Sequence, residues 1–235
     1  MALERQDTIR TNVAAVMDRI AAAAQRSGRA PSQIRLVVVG KTQPPEAIQC
    51  AIDAGATIIG ENYIQEARTK FESLIQNPVQ WHFIGHLQSN KAKYAVRMFD
   101  LIHTVDSCNL AVELDKQASK AGKVQDVLVQ VNISGETTKS GVGASGVERL
   151  LGEIHLLKHI RVKGLMTMPP YFDDPEHARP YFASSRVLGD RIKALAIPGI
   201  DMSELSMGMT GDFEAAIEEG ATLVRIGTYI FGERT

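Results

Sequence analysis

Apolar residues follow two alternating spacings along this chain, one typical of strands and the other typical of helices. The strand-like runs are short and rich in β-branched residues, and glycine or polar residues bound them. They cover residues 36–39, 57–60, 79–84, 101–105, 127–133, 162–166, 202–207 and 223–227. Eight strands alternating with helical patterns in 235 residues predict one domain over residues 1–235, an α/β fold of the single (β/α)8 TIM-barrel class with an extra N-terminal helix. An open doubly wound sheet is the alternative.

The helical patterns carry start and stop signals of their own. The N-terminal helix has apolar residues at helical spacing from Ile9 to Ala24 and is predicted to stop at Ser27-Gly28. Ser-Gly-Val-Glu at residues 145–148 is typical of a capping box and predicts a helix that starts at Ser145. Residues 175–196 and 211–219 predict two further helices. The loop 134–141 has little to bury and is predicted to be a mobile lid or a surface loop.

Composition narrows the classes of function. Apolar residues make up 44% of the chain and charged residues 23%, and the formal net charge is −1, so nothing indicates nucleic acid or an anionic membrane as a partner. The N-terminus has no apolar signal region, and no apolar run approaches the ~20 residues of a spanning helix. Cys50 and Cys108 have no metal or redox spacing and are expected to be free thiols. We therefore expect a cytoplasmic protein.

Lys41 stands directly after the first predicted strand. Residues 36–39 form an apolar run typical of a buried parallel strand, Gly40 ends it, and Pro44-Pro45 predicts the start of a helix. Ligands of α/β folds bind at this carboxyl end of the strands. A lysine against an apolar wall is poorly solvated as a cation, so its amine is more easily freed to attack a carbonyl. The alternative is a lysine that extends from the strand end into water.

The loops after the last two predicted strands indicate an anion site. Residues 206–210 and 227–230 contain glycines and hydroxyl side chains, and phosphate sites in barrels often lie on these two loops. Backbone N–H groups would hold the anion, because neither loop has a lysine or arginine at its tip. The alternative is a pair of ordinary tight turns.

Arg225 lies within the last apolar strand, where a guanidinium needs acceptors. It is expected either to pair with a buried carboxylate such as Glu204 or Glu61, or to contact a ligand in the barrel mouth. A lysine, a phosphate site and an arginine together suggest pyridoxal phosphate (PLP). An arginine facing the pyridine nitrogen keeps its proton, so the ring would be a weak electron sink.

Three competing motifs are disfavoured. Gly40-Lys41-Thr42 resembles the end of a P-loop, but Arg35 stands where that motif needs a glycine. His82 and His86 are four residues apart, but no helix is predicted to align them as zinc ligands. The Gly-x-Ser-x-Gly elbow of hydrolases does not occur in the sequence.

Ordered motifs across nearly the whole chain resemble those of a known family. They are Val39-Gly40-Lys41-Thr42, Gly60-Glu61-Asn62-Tyr63, Trp81-His82-Phe83-Ile84-Gly85-His86-Leu87-Gln88-Ser89-Asn90-Lys91, Gly164-Leu165-Met166-Thr167-Met168, Leu205-Ser206-Met207-Gly208-Met209-Thr210-Gly211-Asp212-Phe213 and Val224-Arg225-Ile226-Gly227-Thr228. With these motifs the chain resembles the pyridoxal phosphate homeostasis proteins, which are related to the N-terminal barrel of alanine racemase. Gly40 is a small departure, since serine is common there in the family.

The resemblance implies a role for each site residue. Lys41 would carry PLP as a covalent internal aldimine, Asn62 would lie near the ring and Arg225 would face the pyridine nitrogen. The phosphate would be taken by three residues, namely Ser206, Gly227 and Thr228. No metal is implied.

The family is thought to bind and carry PLP and to balance B6 vitamers and amino acids, without an established catalytic reaction. The resemblance therefore implies PLP and free amino acids as ligands, and transfer of PLP to apo PLP enzymes. We further expect a monomer. A two-base racemase needs an acid/base on each face of the substrate carbon, and alanine racemases supply a tyrosine from a C-terminal β domain and a partner subunit. The sequence ends at Thr235, seven residues after Thr228, so we expect no such domain here.

The sequence leaves three functions open. The first is a PLP carrier and regulator of PLP and amino-acid homeostasis. The second is a slow PLP enzyme, such as an amino-acid racemase or lyase, with one of the tyrosines as a substitute base. The third is a barrel enzyme that binds a phosphorylated sugar and uses Lys41 for a Schiff base without PLP.

Overall fold

The strands close into a parallel barrel. The computed structural model describes residues 2–136 and 140–232. The strands are β1 Arg35–Val39, β2 Ile58–Glu61, β3 Gln80–Phe83, β4 Leu101–Val105, β5 Gln125–Asn132, β6 Val142–Gly143, β7 Ile160–Thr167, β8 Ile200–Ser206 and β9 Leu223–Ile226. Eight of them pair in chain order, β9 pairs with β1, and the two-residue strand β6 pairs with β5 outside that ring. The predicted barrel is confirmed, and the open-sheet alternative is wrong.

Helices follow the strands around the outside of the barrel. They are α1 Ala2–Arg26, α2 Pro45–Asp53, α3 Ile64–Leu74, α4 Ala92–Met98, α5 Cys108–Lys120, α6 Val147–Ile154, α7 Arg179–Ala194, α8 Phe213–Glu218 and α9 Thr228–Phe231. Short 3-10 turns occupy Pro31–Gln33, Ser89–Lys91, Ala144–Gly146 and Pro175–Ala178. α2 begins at Pro45, as predicted, because a proline at the first helical position has no N–H to leave unpaired.

The extra N-terminal helix is present and packs on α2, α8 and α9. Its buried stripe includes Ile9, Val13 and Ile20. On the same helix, Arg19 makes a bidentate pair with Glu214. α1 therefore covers the side of the barrel where β9 pairs with β1.

Two boundaries differ from the sequence prediction. α6 begins at Val147 without a side-chain cap, because residues 144–146 form a 3-10 turn where the capping box was expected at Ser145. The helix predicted over 175–196 is a 3-10 turn followed by α7, whose first turn contains Pro180. Residues 137–139 of the loop predicted over 134–141 lie outside the described residues.

Side chains inside the barrel form two layers. The lower layer is apolar and separate from the larger core between strands and helices, as expected when alternate strand residues point inward. It consists of Val37, Ile58, Leu101, Leu128, Met166 and Leu223. Buried polar residues, including His82, His103 and Arg225, lie toward the carboxyl ends of the strands. None of the helices in the described part of the chain is long and apolar enough to cross a membrane.

Candidate functional site

One cavity of about 360 Å³ opens at the carboxyl ends of the barrel strands. Five of the six residues predicted for the site line it, namely Lys41, Asn62, Arg225, Gly227 and Thr228. Other lining residues were not assigned from the sequence; they include Thr42, Met168, Tyr171, Phe172, Thr210 and Asp212. The cavity therefore combines an amine, a guanidinium and several hydroxyl groups with an apolar rim.

Lys41 sits in a tight turn between β1 and α2. The N–H of Gln43 donates to the Gly40 carbonyl at 3.0 Å, which closes a four-residue turn with Lys41 at its second position. Thr42, at the third position, has a φ of +65°. This is the left-handed region, which a β-branched residue rarely adopts. The side chain of Lys41 is half-buried at the cavity wall.

A buried ion cluster lies behind this turn. The ammonium of Lys70, on α3, donates to the carboxylates of Glu61 at 2.8 Å and Glu66 at 2.6 Å and to the Gly40 carbonyl at 2.6 Å. Burial raises the pKa of Glu61, against the opposing charge of Lys70. Sequence reasoning missed this cluster, and its only signal was the four-residue spacing of Glu66 and Lys70, which a helix brings together.

Arg225 is buried and held by neutral groups. Its Nη1 donates to the Ser206 hydroxyl at 2.7 Å and its Nη2 donates to the Thr167 carbonyl at 3.0 Å. The expected ion pair with Glu61 or Glu204 is wrong, because Glu61 pairs with Lys70 and Glu204 pairs with Arg35. Burial lowers the pKa of Arg225 to about 10, so the side chain is still protonated at neutral pH.

Ser206 links Arg225 to two histidines in the barrel interior. Its hydroxyl lies 2.9 Å from Nδ1 of His103, and Nε2 of His103 lies 3.0 Å from Nδ1 of His82. Since Arg225 can only donate, the hydroxyl proton goes to His103 Nδ1, and His103 in turn donates from Nε2 to His82. Burial lowers the pKa of His82 to about 3 and the pKa of His103 well below its ordinary value, so both rings are neutral.

This arrangement places the Ser206 side chain behind Arg225 rather than at the cavity wall. Its fully buried hydroxyl orients the guanidinium. The histidines weighed as zinc ligands are separated, since His82 is buried in the barrel and His86 is exposed. Within residues 2–136 and 140–232, no three His, Cys, Asp or Glu side chains are placed to share a metal ion.

The loops after β8 and β9 form one end of the cavity. Gly208 has a φ of +90°, and a Cβ there would lie 2.6 Å from the Cβ of Ala216, so this loop needs glycine. Asp212 accepts from the N–H of Met209 at 2.6 Å and fixes the loop that presents Thr210 to the cavity. Thr228 faces the same cavity from the start of α9. Thr210 lay in a quoted motif but was not assigned a role from the sequence.

Comparison with known proteins agrees with the fold. Residues 11–235 match the family described as alanine racemase, N-terminal domain. The pyridoxal phosphate homeostasis protein of Aquifex aeolicus (strain VF5) is 46% identical over 222 residues, which cover 93% of this chain and 95% of that protein.

Two solved structures are similar over nearly their whole length. A Bifidobacterium adolescentis protein has a TM-score of 0.93 at 40% identity, covering 97% of this chain and 96% of that one. PipY of Synechococcus elongatus PCC7942 with PLP bound has a TM-score of 0.80 at 35% identity, covering 92% of this chain and 100% of that one. The chain therefore belongs to the pyridoxal phosphate homeostasis proteins, within the alanine racemase N-terminal domain family.

Proposed function

We propose that this protein binds pyridoxal 5′-phosphate in the barrel-mouth cavity and serves intracellular PLP and amino-acid homeostasis. The observation that carries the proposal is the meeting of Lys41, Arg225 and the hydroxyl-bearing loops of Thr210 and Thr228 in one cavity. The relative from Aquifex aeolicus, named a pyridoxal phosphate homeostasis protein, and PipY with PLP bound support it.

The residues of the cavity fit the chemistry of this cofactor. When bound, PLP supplies an aldehyde that forms a Schiff base with an amine, an electron-withdrawing pyridine ring and a dianionic phosphate. Lys41 provides the amine, and the two threonine hydroxyls with the neighbouring backbone N–H groups provide phosphate donors. Oδ1 of Asn62 is buried and has no hydrogen-bond partner among the described residues, so a polar ligand in this cavity would satisfy it.

Arg225 favours holding the cofactor over using it. The guanidinium is protonated at neutral pH and has no lone pair to accept a hydrogen bond. It would therefore donate to the pyridine nitrogen of bound PLP, and that nitrogen would carry no proton of its own. Ser206 and Thr167 keep the guanidinium in place from behind. The binding of free amino acids and the release of PLP to apo PLP enzymes are part of the same proposal.

Removing a phosphate donor should weaken the binding of PLP but not of pyridoxal. We expect Thr228→Val and Thr210→Val each to lower PLP affinity roughly tenfold or more, because a charge-assisted hydrogen bond contributes about 1.5–3 kcal/mol. Absorbance titrations with PLP and pyridoxal measure the two affinities. Thr69→Val, an exposed change on α3, is the control.

Ser206→Ala separates orientation of Arg225 from phosphate binding. Because the Ser206 hydroxyl holds Arg225, this variant should weaken PLP and pyridoxal by the same factor. Equal losses for the two ligands in Thr228→Val would contradict the phosphate assignment.

Amino acids should change the visible spectrum without losing their Cα hydrogen. A ring nitrogen held by Arg225 would withdraw electrons weakly, and each 1.36 kcal/mol added to the barrier slows Cα–H cleavage tenfold. NMR of L- and D-alanine in deuterated water, with the PLP-loaded protein, measures this exchange. Exchange near ordinary enzyme turnover, ~10 per second, would favour a slow racemase or lyase instead. Absence of any visible band on adding PLP would favour the sugar-phosphate enzyme.

A further inference from the structure

The two peptide groups that flank the Cα of Lys41 are held by the same buried cluster. The carbonyl of the Gly40–Lys41 peptide accepts from Lys70 Nζ at 2.6 Å. The N–H of the Lys41–Thr42 peptide donates to Oε1 of Glu66, and that same oxygen accepts from Lys70 at 2.6 Å. Fixing both peptide planes fixes the backbone dihedral angles of Lys41 and hence the direction in which its side chain leaves the turn.

The turn needs this support because Thr42 is in an unfavourable conformation. Its φ of +65° occupies the third turn position, where glycine is favoured. A β-branched residue is held there only when its surroundings dictate the conformation. The contacts from Glu66 to the Thr42 N–H and from Lys70 to the Gly40 carbonyl are such surroundings.

Burying the charged groups of this cluster costs free energy, so a gain in stability does not explain why they are buried. The side chains of Lys70 and Glu61 are 4% and 0% exposed. An ion pair taken out of water is weak evidence of stabilisation, because desolvation offsets the attraction. Of the three acceptors of Lys70, the Gly40 carbonyl is part of the Lys41 turn, and Glu66 on α3 also accepts from the Thr42 N–H of that turn. The third is Glu61, at the end of the neighbouring strand β2. The cluster therefore acts on the geometry of this turn.

We propose that Lys70 and Glu66 are positioning residues for Lys41, which hold the Gly40–Thr42 turn in the strained form that presents the Lys41 amine to the cavity. The inference rests on the proposed function, because it assigns the purpose of the turn to PLP binding. Neither residue touches the cavity itself.

The direct test uses protein without PLP. Hydrogen exchange of the Thr42 amide, followed by NMR, should become at least roughly tenfold faster in both Lys70→Met and Glu66→Ala. Glu66→Ala removes the acceptor of that N–H, and Lys70→Met removes the ammonium that holds this acceptor and the Gly40 carbonyl in place. Glu72→Ala is the matched control, because Glu72 lies on the same helix and pairs with Arg68 at the exposed surface. Unchanged exchange in both variants would overturn the proposal, whether or not the protein binds PLP.

The second test measures coupling to the strained residue. Lys70→Met should lower PLP affinity and the yield of borohydride-reduced adduct on Lys41 by roughly tenfold. In a Thr42→Gly background the same substitution should have a much smaller effect, since glycine adopts a positive φ without help. A purely structural role of Lys70 predicts the same loss in both backgrounds, and that result would overturn the proposal.

Two outcomes need separate interpretation. If Lys70→Met does not fold, Glu66→Ala replaces it in both measurements, because Glu66 is partly exposed and its loss leaves the Lys70–Glu61 pair intact. If the unsubstituted protein and Glu72→Ala form no adduct with PLP, the proposed function fails, while the amide exchange of Thr42 still decides the role of the cluster.

Discussion

Lys41→Ala is expected to abolish the visible absorption band that PLP gives when it is bound as a Schiff base. The amine of Lys41 stands at the wall of the cavity, and the amine of Lys70 is fully engaged with three acceptors. Among residues 2–136 and 140–232, no lysine other than Lys41 lines this cavity. The loss should be complete rather than graded, and borohydride should leave no reduced adduct in the cavity.

The same substitution should leave the fold intact. Lys41 is half-buried at the end of β1 and lies outside the apolar core, so the free energy of unfolding should change by no more than ~0.5 kcal/mol. Urea unfolding of the variant without PLP measures this. Lys120→Ala, an exposed change on α5, should keep the full band. A surviving band with its adduct mapped to another lysine would refute the assignment of Lys41.

Most of the barrel could be predicted because its strands are marked by local pattern. Each apolar run lies between glycine or polar residues, and the helical spacing between the runs leaves little choice of fold class. The start of α6 could not be predicted in the same way. Ser145 has the right spacing for a cap, but the backbone there turns into a 3-10 segment, and Val147 begins the helix by burying its side chain.

The cavity residues could be predicted for a topological reason. The carboxyl ends of parallel strands share one mouth, so Lys41, Asn62 and Thr228 had to converge once the barrel was expected. Ser206 is different, because it is the last residue of β8 and its side chain points into the barrel interior. The direction of a side chain at a strand end depends on strand register, which the sequence does not display.

The buried polar clusters were beyond sequence reasoning. Lys70 meets Glu61 only because α3 packs against the end of β2, and His103 meets His82 only because β3 and β4 place their rings in one layer. Both contacts join residues whose burial is set by tertiary packing. Lysine, glutamate and histidine are not usually fully buried, so their residue types predict exposed positions where the structure has buried ones.

Stability without PLP is expected to fall steeply as the pH drops below about 6.5, where histidine begins to bind protons in the unfolded chain. In the folded protein the pKa of His82 is about 3 and the pKa of His103 is also far below its ordinary value. The unfolded state therefore binds more protons than the folded state between these values, so acid favours unfolding.

The size of this loss follows from the shift. His82 alone contributes up to about 5 kcal/mol, lost progressively between pH 6.5 and pH 3, at about 1.4 kcal/mol per pH unit. His103 adds a second loss in the same direction. Glu61 and Asp212 act in the opposite sense, because burial raises the pKa of each carboxyl and makes the folded state bind a proton first as the pH falls. The shifts of the two histidines are larger than those of the two carboxyls, so the net effect is a loss.

Urea unfolding at pH 7.5, 6.0 and 5.0, on protein freed of PLP, measures this dependence. In His82→Gln the slope below pH 6.5 should fall by about 1.4 kcal/mol per pH unit, because one of the two buried imidazoles is gone while the glutamine amide can still accept from His103. His155→Gln removes a histidine that lies outside the barrel interior, and it should keep the full slope. Identical slopes in His82→Gln and the unsubstituted protein would show that the buried pair does not control acid stability.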